Sequence, residues 1–348
     1  MPVPFPTAPQ AAVEDGLFRF GRYSGPIDRV NFLDARLRGG LEAPRWLKSK
    51  QLKEWRALTL ADRRWQFHAA FYNAKFFSLV MFRGFDRETK KTCGFVRILP
   101  GSIFHLGETL AGSTIAYHGR HARLDLSVNL AERRIDLGVA WRPGGRKQGF
   151  RGLFELDCGP KAAAMTSLVL PIGQSRAMYT AQCALPFRGS FETEGEIHRF
   201  EGEEATGLME DTKGYFPFSL RYDWVVGLGI DAKGRHVGFR LANSQIRDPE
   251  LLNENSLWIG TKVWALPAVR VTRATGHQGS WVIQDTEGLV DLLFTPESPH
   301  DISFHLGLIE SDWHGPFGSF KGFVKSGEGE TIEAERLCGM GEEKYLRA

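Results

Sequence analysis

Shortages narrow the possibilities for this 348-residue chain before any motif is read. Its four cysteines, Cys93, Cys158, Cys183 and Cys338, lie far apart with no C-x-x-C pair. Free thiols in a reducing cytoplasm are the simplest reading of that spacing. The opening MPVPFPTAPQ has neither the charged nor the apolar region of a secretory leader. No apolar run reaches the ~20 residues that a membrane-spanning helix needs. The ten histidines contain no H-x-H or H-E-x-x-H, and His118 and His121 in HGRH read as a turn pair rather than metal ligands. G-x-S-x-G and the phosphate-binding G-x-x-x-x-G-K-[ST] are absent, and GLGIDAKG lacks the third glycine and following helix of a dinucleotide fingerprint. No metal or nucleotide cofactor is therefore expected.

Charge is also scarce. A net +3 does not imply nucleic acid, and the Lys and Arg residues are not interleaved with rings in a groove-like pattern. The balance is uneven, with twelve Lys/Arg against seven Asp/Glu in residues 1–65. That basic region suggests peripheral contact with an acidic membrane, or, more plainly, a solvated surface.

What is abundant is glycine, at 39, and aromatic side chains: 25 Phe, 9 Trp and 7 Tyr. Short aromatic and β-branched runs punctuated by Gly and Pro are an all-β profile. In RLDLSVNL, Leu124, Leu126, Val128 and Leu130 share one face while Asp125, Ser127 and Asn129 share the other. Half-buried antiparallel strands have that alternation. Residues 1–16 read as a loose lead-in rich in Pro and Ala. Residues 44–58, PRWLKSKQLKEWRAL, read as a helix opened by proline, and a shorter helical stretch is expected at 161–165. FFSLVMFRGFDRETKKTCGFVRILPG and DWVVGLGIDAKGRHVGFRLANS share an outline of strand, Asp-led basic turn and Gly-Phe strand, matching Gly94 and Phe95 to Gly238 and Phe239. With the chain length, this suggests two similar β-domains, 17–185 and 186–348, meeting near Pro186. Small closed barrels can hold one apolar ligand.

The densest chemistry lies in EDTKGYFPFSLRYDWVVGLG, residues 210–229. Asp211 to Gly214 read as a turn, and Pro217 ends the segment. Beyond it, Tyr222, Trp224, Val226 and Leu228 share a strand face. An acid sheltered by such rings would keep its proton near neutrality. The rings would shield a cationic intermediate by about 0.5–2 kcal/mol each. Glu210, Asp211, Asp223 and Glu254 are the candidate proton-transfer residues. Tyr215, Tyr222, Trp224, Asn255 and Trp258 are candidate lining, as are His68 and Tyr72, which share parity with Ala70, and His305. Each has a structural alternative: turn or ion-pair acids, core rings, and a loop at NENSLW whose Asn side chains mimic backbone turns.

DTKGYFPF, YDWVVGLG, VGFRLANSQ, NENSLW and GLVDLLFTP resemble the domain-of-unknown-function family 2804, from LKEW to GMGEEKYL and most densely over 210–258. The two-β-domain outline is more distantly similar to the lipocalin-like group containing hydroxyneurosporene synthase, AttH-like proteins and tocopherol cyclase. That resemblance implies two lipocalin-like antiparallel barrels and an apolar, isoprenoid-like substrate. Two functions are carried forward. One is an acid-catalysed isomerisation, cyclisation or hydration of such a molecule; the other is a non-catalytic carrier or sensor of a lipid or other apolar ligand.

Overall fold

Strands dominate the computed structural model, which describes residues 5–37, 43–144, 149–173, 176–306 and 309–347. They build two large antiparallel sheets in tandem, of 13 and 12 strands among the described residues. The first runs in the order Thr92–Pro100, Phe77–Asp86, Trp65–Asn73, Leu52–Ala61, Thr206–Tyr215, Arg176–Thr193, Phe150–Asp157, Arg134–Trp141, Ala122–Asn129 and Ser113–His118. The second runs Lys262–Ala265, Ser256–Ile259, His236–Asn243, Ser219–Ile230, Leu337–Arg347, Phe317–Lys325, Val290–Ser298, Trp281–Gln284 and Arg270–Thr272.

Each sheet curls into a half-barrel. Phe67 meets Phe154 with ring centroids 5.2 Å apart although three strands separate theirs in sheet order. Phe239 meets Phe320 at 5.0 Å across two intervening strands. The alternation in Ala122–Asn129 is as read from the sequence, with Leu124, Leu126 and Val128 buried. Both concave faces are filled: Phe67, Phe82, Phe150, Phe154 and Phe191 pack the first, and Phe239, Trp281, Phe294 and Phe320 the second. The half-barrels are packed cores rather than hollow cups.

The strand order shows the duplication in a different register from the one the sequence suggests. In both halves four strands form a meander whose first strand pairs with a later strand of its own half. The hairpin of Ser219–Ile230 and His236–Asn243 thus corresponds in position to Leu52–Ala61 and Trp65–Asn73, not to Phe77–Asp86 and Thr92–Pro100. Asp62 and Asp231 sit at equivalent turns, each accepting backbone N–H groups on its side chain.

Three local expectations are corrected. The helix covers only Arg45–Gln51, and Leu52–Ala61 is a strand. That strand is buried on both faces, Leu58 and Leu60 toward the first core and Ala57 and Ala61 toward the second half, so period-2 alternation is lost. Residues 161–165 hold a turn rather than a helix. Asp211 to Gly214 lie inside Thr206–Tyr215, because burial of Asp211 and Lys213 beside Arg56 and the 106–107 carbonyls overrides their turn preference. Pro186 lies within Arg176–Thr193, and the chain changes sheets at 216–218, next to Pro217. Of the basic surplus in residues 1–65, Lys48, Lys53 and Arg56 are buried.

The convex faces of the two half-barrels press together. Ala57, Ala70, Met81, Phe85 and Leu208 of the first meet Trp224, Val226, Leu228, Trp313 and Met340 of the second. Polar bonds cross this seam: Gln66 Nε2 donates to the Gly318 carbonyl at 3.0 Å, and Arg83 Nη1 to that of Gly315 at 2.6 Å.

Phe191 tests whether the first concave face is solid. Its ring packs on Phe67 at 4.8 Å and Trp65 at 5.1 Å. Phe191→Ala should cost about 3–5 kcal/mol in urea unfolding; a loss below about 1 kcal/mol would mean the half-barrel is already loosely filled.

Candidate functional site

A cavity of about 120 Å³ lies in the seam rather than inside either half-barrel. That is the order of a ~150 Å³ cavity that accepts a benzene-sized guest. Strand parity decides its walls. Trp55 and Ala57, His68, Ala70 and Tyr72, and Leu79 and Met81 come from the convex face of the first sheet. Tyr222 and Trp224, Arg240 and Ala242, and Glu342 and Lys344 come from that of the second.

Of the residues nominated from sequence, Glu210, Glu254, Tyr222, Trp224, His68 and Tyr72 line the cavity. The others lie elsewhere. Asp211 faces the first half-barrel, where Arg56 Nε donates to it at 2.8 Å. Asp223 pairs with Arg273 at 2.7 Å. Tyr215 donates its hydroxyl to the Phe32 carbonyl. Asn255 accepts the Ala242 N–H and donates to the Pro267 carbonyl, tying its loop to the neighbouring strand and to residue 267; the local turn bond is made by Asn253, whose side chain accepts the Asn255 N–H. Trp258 packs within the seam away from the cavity, and His305 is exposed beside Glu310 and Asp312.

The two lining acids that were nominated are not free. Arg240 donates Nε and Nη2 to Glu210 at 3.1 and 3.2 Å, and Nη1 to Glu254. Trp55 Nε1 and the Thr212 hydroxyl also donate to Glu210, at 2.8 and 2.9 Å. Burial alone would lower the Arg240 pKa, but the two carboxylates more than reverse this and hold its proton above the usual guanidinium range. Arg22, from Gly21–Ser24, secures the Glu254 loop by donating to the Asn253 and Asn255 carbonyls at 3.0 and 2.9 Å and to Ser256 Oγ at 2.7 Å. All four acids proposed from sequence are therefore ion-paired, and none is an uncompensated proton donor.

One acid in the cavity is different. Glu342 is buried, lines the cavity and forms no ion pair among the described residues. Burial holds its carboxyl above the usual carboxylate range, against the opposing pull of the Tyr222 hydroxyl and Lys344. Tyr222 donates to Glu342 Oε1 at 2.6 Å, and burial pushes the phenol well above its ordinary value too. Glu342 was legible only through the alternation of Cys338, Met340, Glu342 and Lys344 in the C-terminal strand, a pattern weakened by the glycines between them. Two cavity rings already carry cations: Arg240 lies 5.3 Å from the Trp224 centroid, and Arg83 lies 5.6 Å from that of Trp313.

Fold and site together define a two-half-barrel β protein with a ring-lined pocket at the joint and one neutral-leaning acid in it. The chain belongs to the family described as Domain of unknown function (DUF2804), whose model it matches over residues 12–347. No curated protein sequence matches it. Among solved structures, kievitone hydratase from Nectria haematococca is similar at a TM-score of 0.43 and 11% identity, over 85% of this chain and 89% of that one. A likeness at that level carries no argument about activity.

His68 generates a pH test. Burial, with Arg83 and His300 nearby, lowers its pKa to about 3. The unfolded chain takes up this proton below an ordinary value of about 6.5. Stability should therefore fall with pH through the window from about 6.5 down to about 3, by as much as about 1.4 kcal/mol per pH unit. Urea titrations of His68→Gln should show a correspondingly flatter profile than the parent; identical profiles would refute a buried neutral imidazole. Arg240→Met leaves two buried carboxylates facing each other and should cost about 3–5 kcal/mol, measured by the same unfolding.

Proposed function

We propose that this protein binds an apolar, unsaturated small molecule in the seam cavity and protonates it through Glu342, leading to isomerisation, cyclisation or hydration. The observation that carries the reading is Glu342 itself: buried, without an ion-pair partner among the described residues, and biased toward its protonated form at the wall of a space lined mainly by aromatic and aliphatic side chains. A carboxyl whose pKa is raised by burial is suited to act as a general acid toward an alkene or carbonyl. Tyr222, hydrogen-bonded to it, orients the carboxyl and stabilises the carboxylate left after transfer. Positive charge developing on the guest would face Trp55 and Tyr72, whose π-faces favour cations. The cavity suits a guest of about one ring or one five-carbon unit, or that part of a longer isoprenoid-like chain. The ion-paired Glu210 and Glu254 serve in this reading as fixed walls that hold Arg240 over Trp224.

A second reading, a non-catalytic carrier, is supported by the preponderance of aliphatic and aromatic lining. One experiment separates the two. Small molecules co-purifying with the protein are identified by mass spectrometry and returned to it in D2O. Under the enzymatic reading the parent places deuterium on carbon, and Glu342→Gln slows this about a hundredfold or more while uptake persists. Uptake by the parent with no deuterium on carbon would leave the carrier.

A further inference from the structure

Lys344 is the cavity group that proton transfer leaves unused. It sits two residues beyond Glu342 on the same face of Leu337–Arg347, and both side chains line the cavity. Its strand neighbours are Tyr222 on one side and Trp313 on the other, both cavity walls. The ammonium is in no ion pair with a carboxylate among the described residues; Nζ donates to Ser311 Oγ at 2.8 Å. A surface lysine would hold its charge in water. This one is placed among rings beside an acid that is itself biased toward neutrality.

We propose that Lys344 is a covalent attachment site for an apolar aldehyde or ketone, forming an imine within the seam cavity. The geometry supplies the two groups that such chemistry needs, an amine nucleophile and a neighbouring proton donor. The Nζ lone pair attacks the carbonyl carbon. A C–N bond forms while the carbonyl π pair moves to oxygen, which takes the Glu342 proton. The resulting N–H2 centre returns one proton to Glu342. Glu342 then protonates the hydroxyl, which leaves as water as the C=N bond forms. The balance is amine plus carbonyl plus carboxylic acid, giving protonated imine, carboxylate and water, with no oxidant or reductant. Glu342 ends as the carboxylate facing the new cation. Burial lowers the Lys344 pKa to about 8, so a useful fraction of free amine exists at mildly alkaline pH. The proposal shares the cavity with the proton-transfer reading and does not require turnover.

The test is reductive trapping. The full chain is incubated at pH 8 with benzaldehyde or 3-methylbut-2-enal and sodium cyanoborohydride, and adducts are mapped by peptide mass spectrometry. Lys344 should be labelled at least tenfold faster than any other lysine, and toluene, which fills an apolar cavity without reacting, should slow labelling of Lys344 alone. Lys344→Met, checked for an unchanged far-UV spectrum and melting curve, should lose this fast adduct. Lys53→Arg should keep it, although burial also lowers the Lys53 pKa to about 8. Labelling that tracks solvent exposure, prefers Lys53 or ignores toluene would overturn the proposal; the toluene arm settles this even if Lys344→Met fails to fold. Failure here with deuterium still placed on carbon would leave proton transfer by Glu342 standing, and a Lys344 adduct without deuterium incorporation would leave the imine site standing alone.

Discussion

A buried guanidinium clamped between two carboxylates joins the halves of this molecule. Glu210 belongs to the first sheet, Arg240 to the second, and Glu254 to the loop before Ser256–Ile259. Pressing two convex sheet faces together removes all three charges from water. That desolvation is tolerable only because each charge finds a partner and the remaining lone pairs are met by Trp55, Thr212 and Ser244. Two carboxylates on one guanidinium leave an excess negative charge. Arg22, reaching from the first half into the 253–256 loop, restores the balance, and Gln182 adds a bond to the Glu254 carbonyl at 3.0 Å. The clamp works less as a source of net stability than as a constraint on how the halves can dock: a shifted seam would strand buried charge.

The same closure makes the cavity chemically unusual. Arg240 at the seam finds two carboxylate partners, whereas the cavity groups without an ion-pair partner are biased by burial toward the uncharged form. Glu342 and Lys344 are two residues apart on one strand and both are biased the same way, toward the uncharged form. His68 on the opposite wall follows. An acid, an amine and a buried imidazole thus line a space that also holds the Glu210–Arg240–Glu254 clamp and is walled mainly by rings and aliphatic groups. The filled half-barrels behind it hold these side chains in place, and do not themselves offer room.

Much of the fold was legible. Alternation identified Ala122–Asn129 and the ring face of Tyr222 and Trp224, and parity placed His68 and Tyr72 on one surface. The failures share a cause. Leu52–Ala61 looked helical because both of its faces are covered, which erases the period-2 signal. Asp211 and Lys213 looked like a turn because isolated Asp-Thr-Lys-Gly prefers one, whereas buried partners hold it extended. The acids near the aromatic stretch are dense, and density of charge is what allows pairing. Glu342 stands apart from that stretch, in a glycine-rich terminal strand.

Composition and local periodicity were enough to establish a mostly antiparallel β protein, because that property is written in residue type and in spacing along a strand; the family followed from the likeness of particular segments, and the register of the duplication from the strand order. Which face of each strand meets the other half, which acids pair with arginine and which cavity acid forms no ion pair among the described residues depend on contacts between residues far apart in the chain, such as Glu210 with Arg240 and Tyr222 with Glu342. Only the docking of the two sheets decides those, since a charge is compensated or not by what lies within a few ångströms of it in space.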